Sequence, residues 1–145
     1  MRERRHSKSG LFLIELMISI TVFAMTSAIF LQVFAKSHVV SREAEELFQA
    51  QNLASSAAEI LEGSRDFSGD LPRYFPGVAV TENRAVLGYD ENWQPTEEKA
   101  KYVLLLDWTK EEGMWVMNIQ VTGEGGEKIY SLQLHKYQPE EGDFA

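Results

Sequence analysis

Residues 11–35 read LFLIELMISITVFAMTSAIFLQVFA, and the fold follows from how this stretch is read. It holds one charged residue, Glu15, in 25, with no Pro and no Gly. About 20 consecutive apolar residues suffice to cross a bilayer as a helix. The apolar side chains cover every face, so the segment is not an amphipathic surface helix. A chain of 145 residues has little core in which to bury such a rod all round. The stretch therefore reads as a membrane-inserted helix. Before it, MRERRHSKSG carries Arg2, Arg4, Arg5 and Lys8 against Glu3. After it, residues 36–145 carry 10 Lys+Arg and 20 Asp+Glu. Basic flanks stay in the cytoplasm. The expected placement is a single pass through the cytoplasmic membrane, N-terminus cytoplasmic and acidic C-terminal part outside.

The composition excludes several functions. Without cysteine the chain has no disulfide scaffold, zinc-thiolate site or cysteine nucleophile. A net charge of −8 opposes a broad nucleic-acid surface, so no direct nucleic-acid binding is expected. Val33-Phe34-Ala35 fits the small-x-small pattern of a signal-peptidase site. The apolar core of a signal peptide is typically about 7–15 residues, shorter than this run. The competing reading is nonetheless a secreted or single-pass anchored binding domain with an ordinary signal peptide or anchor.

Glu15 is the informative residue. A carboxylate within an apolar helix is costly and tends to serve function with a partner. The plain alternative is that it lies one turn into the helix, reaches the headgroups and favours the positive helix N-terminus. Its neighbours shift the balance. Ser9-Gly10-Leu11-Phe12-Leu13-Ile14-Glu15-Leu16-Met17-Ile18 follows a short basic leader. This resembles the processing motif of type IV prepilins and type II secretion pseudopilins. In that family a Gly ends the leader and Glu is the fifth mature residue. By resemblance, Gly10 and Leu11 flank the leader-peptidase cleavage site, Leu11 is the N-methylated residue, and Glu15 serves subunit assembly. Leu11 stands where Phe is commonest, and Phe12 where Thr or Ser is usual. Gln32 occupies a position that is often Pro in major pilins, which implies a minor subunit or pseudopilin. The resemblance covers roughly residues 5–60.

It implies a structural subunit, not an enzyme, with no cofactor. Processing by a prepilin peptidase/methyltransferase would precede assembly into a type IV pilus, a type II secretion pseudopilus or a DNA-uptake pseudopilus. The implied partners are other pilin or pseudopilin subunits and an inner-membrane assembly platform. The implied destination is a surface or periplasmic fibre. Cleavage would free an α-amine at Leu11, and in the family the Glu carboxylate meets the amine of a neighbouring subunit. An unpaired charge in an apolar fibre core is expensive, so such pairing would set register.

The whole chain reads as four parts: a leader (1–10), the apolar helix (11–35), its amphipathic continuation (36–62) and a globular part (63–145). Residues 36–62 are polar but rich in helix formers. Val40, Ala44, Leu47, Ala54, Ala58 and Leu61 mark one face, and Ala50, Ala54, Ser55, Ala57 and Ala58 would allow close contact with a sheet. Residues 63–77 (GSRDFSGDLPRYFPG) read as a loop. Residues 78–80 and 84–88 are candidate short strands. Residues 101–108 are apolar on both faces. Residues 114–122 and 128–137 alternate, with Trp115, Met117, Ile119 and Val121 on one side of the first and Tyr130, Leu132 and Leu134 on one side of the second. Short links predict an antiparallel meander. The expected fold is α+β and pilin-like, a long N-terminal helix packed on a small antiparallel sheet, with a loose tail from Gln138 to Ala145.

Other signals are weak. Residues 122–128 (TGEGGEK) lack the spacing of a phosphate loop and precede a strand. Asp66-x-Ser68-x-Asp70 begins like a calcium loop, but Leu71 and Gly77 stand where Gly and Glu are needed. A looser calcium site among loop carboxylates stays open. His6, His38 and His135 form no metal spacing or triad. Ala24-x-x-x-Ala28 is a helix-contact pattern too common to weigh. The tryptophans read as core and rim packing.

Overall fold

The computed structural model describes residues 6–138, with side chains from Lys8 onward. The order is α1 (His6–Gly63), α2 (Phe67–Tyr74), β1 (Ala79–Val80), β2 (Arg84–Tyr89), β3 (Tyr102–Glu111), β4 (Met114–Thr122) and β5 (Lys128–Tyr137). The strands form one antiparallel sheet in sequence order. The chain divides into two units, Met1–Glu43 and Ala44–Ala145. The first consists, in its described part, of α1 residues. The second holds the end of α1 packed on the sheet, the α+β layout that the sequence predicts. The basic residues Arg2, Arg4 and Arg5 and the tail from Pro139 lie outside the described residues.

The core of the second unit is a ladder of cross-strand pairs. Ala85, Leu87 and Tyr89 of β2 lie opposite Leu106, Leu104 and Tyr102 of β3. Leu104, Leu106 and Trp108 lie opposite Val121, Ile119 and Met117 of β4. All ten are buried on one sheet face. Period-two alternation puts these residues on one side, and α1 covers them with Ala50, Ala54, Ala57, Ala58 and Leu61. Four of the five are alanines, so the helix presents a flat face of small side chains to this core.

Three expectations change. The face starting at Val40 is buried only from Ala50; Val40 and Leu47 stand 53% and 46% exposed, and Ala44 and Ser55 are exposed as well. Periodicity marks a helix face but not how far its cover extends. Residues 63–77 are not all loop. Asp66 accepts a hydrogen bond from the Gly69 amide and caps α2, whose Phe67 and Leu71 are buried four residues apart. That cap and pair outweigh Pro72 inside the helix. Third, β3 runs on to Glu111, so Glu112 and Gly113 alone turn the chain into β4. Both have positive φ (50° and 80°), as a two-residue turn of this handedness requires.

Gly88 answers to a close approach. A β-carbon there would come within 2.7 Å of the Ala100 β-carbon and 2.8 Å of the Thr96 carbonyl oxygen. The segment after β2 folds back against it: the Thr96 amide donates to the Gly88 carbonyl, and Tyr89 bridges to Pro95. Trp93 in this segment stacks on Tyr102, rings 3.9 Å apart.

Polar bonds hold α1 at both ends of its contact with the sheet. The Tyr102 hydroxyl donates to Glu46 Oε1 over 2.8 Å. The Lys136 ammonium of β5 donates to the carbonyls of Leu61 and Ser64, where helix carbonyls lack partners. It also lies 5.5 Å from the centre of the Phe67 ring, which packs edge-on against Trp108 and Trp115. Burial pushes the Lys136 amine below its usual range; Glu62 pulls it back up and Arg65 adds to the lowering. Lys136→Met keeps the stem and removes the donor. We expect it to destabilise the unit by about 1 kcal/mol, read as a shift in the urea midpoint.

Burial alone pushes the Tyr89 hydroxyl up from 10.0 to about 12. An unfolded tyrosine ionises first, so this group's stabilisation is complete below pH 10.0 and is lost as pH rises through about 12. Tyr89→Phe should flatten the fall in stability across that window. An unchanged alkaline unfolding curve would show that other groups govern it.

Candidate functional site: the exposed apolar helix and Glu15

Sixteen large apolar side chains between Leu11 and Phe34 stand 46–73% exposed. Soluble monomers rarely show contiguous apolar patches beyond a few hundred Å². None of the most apolar window of this helix is buried by the rest of the chain. It is long and apolar enough to be a membrane anchor.

The polar atoms in the run fit an apolar surrounding. Ser19, Thr21, Thr26 and Ser27 each donate a hydroxyl hydrogen bond to the carbonyl four residues back, at Glu15, Met17, Val22 and Phe23, over 2.8–2.9 Å. Without water, every buried polar group needs an internal partner, and these hydroxyls have one. Hydropathy alone does not reveal this. The available sequence signal is the set of four hydroxyl residues within an otherwise apolar helix.

Glu15 differs. It sits on the exposed surface of α1, and among the described residues no cation pairs with its carboxylate. The helix carries Glu15 four residues after Leu11, one turn along the same face, a rise of about 6 Å. Leu11 itself is 65% exposed. Gly10 lies within α1, and a β-carbon there would meet nothing within 4 Å. Glycine is the poorest helix former after proline, so this is where the helix start is easiest to unwind.

Among the described residues beyond the apolar run, no comparable arrangement occurs. His38 is exposed on α1, and His135 is exposed on β5. Asp66 caps α2, while Asp70 accepts the Ser64 hydroxyl. Among the described residues no three His, Asp or Glu gather as metal ligands. In the turn between β4 and β5, the Gly125 amide donates to the turn's own Glu127 carboxylate. The tryptophans pack as expected: Trp108 is buried, and Trp93 and Trp115 lie half-buried against the core.

No protein-family model, curated protein or solved structure matches the chain. The residues of this helix carry the functional reading by themselves.

Proposed function

We propose that the chain is a minor pilin-type or pseudopilin-type structural subunit, held in the cytoplasmic membrane by α1 and then assembled into a fibre. The observation that carries this is Glu15: a carboxylate without a described partner, on a bare apolar helix, five residues after Gly10 in a basic leader. A prepilin peptidase cuts between Gly10 and Leu11 and methylates the new amine. Two charges of opposite sign then stand at the start of an apolar rod, and in a bundle of such rods each is satisfied by a neighbouring subunit. The acidic outer unit is the extracytoplasmic part. The subunit acts by assembly and not by catalysis, with other pilin-like subunits and a membrane assembly platform as partners.

The test is the mature N-terminus, read by mass spectrometry on protein made in a host with a prepilin peptidase. Cleavage before Leu11 removes four basic residues and one acidic residue, taking the net charge from −8 to −11. Gly10→Leu places a branched side chain at the scissile bond and should leave the leader attached. A mature chain starting at Lys36 would instead establish an ordinary secreted domain. An intact chain starting at Met1 would establish a plain anchor.

A further inference from the structure

We draw no further inference here: the strongest candidate, the outer edge of β5 at the end of the sheet, carries nothing because nothing in the structure shows what strand pairs with it.

Discussion

Trp108→Ala is expected to destabilise the second unit by about 3–5 kcal/mol, the usual cost of emptying a large aromatic site in a core. Trp108 is only 3% exposed. It lies opposite Met117 on β4 and meets the edge of Phe67, so its removal opens a cavity where β3, β4 and α2 converge. Single domains are typically stable by about 5–15 kcal/mol, so the loss takes a large share of the whole. Trp115 is the informative comparison. Its alternation with Met117 and Ile119 marks it as inward-facing, yet it is only half-buried, beside Phe67 and near the Lys110 ammonium. Trp115→Ala should cost clearly less. The measurement is guanidinium unfolding of a fragment beginning at Lys36, which should be soluble and unfold cooperatively once the apolar segment is gone. Equal costs for the two tryptophans would contradict the packing described above. Insolubility of the fragment would contradict a self-sufficient core.

On the assembly role proposed above, Glu15→Gln should leave the protein folded, cleaved and membrane-inserted, but nearly absent from fibres. The substitution keeps size and removes charge. In the membrane that is slightly favourable, because a carboxylate within lipid is costly. The second unit makes its own core from residues after Ala44, so its stability should not change. In a fibre, the amine at Leu11 of a neighbour would be left buried and uncompensated. Removing one partner of a buried ion pair costs about 3–5 kcal/mol, which is more than a hundredfold in an assembly equilibrium. Sheared-fibre fractions compared with membrane fractions give the readout. Glu59→Gln, on the exposed side of α1, serves as the charge control. Should the Glu15 variant reach fibres as well as wild type, the carboxylate is only a headgroup contact. A mild defect would place the subunit at a fibre tip, where it lacks one neighbour.

The fold was legible where the signal is local. A 25-residue apolar run and an uninterrupted helical sequence after it specify α1, since length and helix propensity need no tertiary partner. The alternation in Met114–Thr122 and Lys128–Tyr137 places both strands with their observed ends, because the side-chain period of a strand is set by the backbone. Glu15 was legible for the same reason, as the one charge in a lipid-like stretch. The back-bonded hydroxyls of Ser19, Thr21, Thr26 and Ser27 are a local signal that the sequence reading missed, although their partners lie one turn away.

Burial was not legible, because it depends on what else reaches a side chain. Val40, Ala44 and Leu47 share a helical face with Ala54, Ala58 and Leu61, but cover begins only at Ala50. The strand pattern cannot rank Trp108 above Trp115, since the depth of each ring depends on where α2 lies. Nor could the residues of α2 show by composition alone that Asp66 would cap them and that Phe67 would find two indole rings. By itself, then, the sequence determined the apolar helix, its lone carboxylate and the period of the long strands, all set by neighbours along the chain. The tertiary structure alone decided how much of the helix is covered, which tryptophan is core and where Lys136 takes hold of the helix end, because each of these requires groups far apart in sequence to meet.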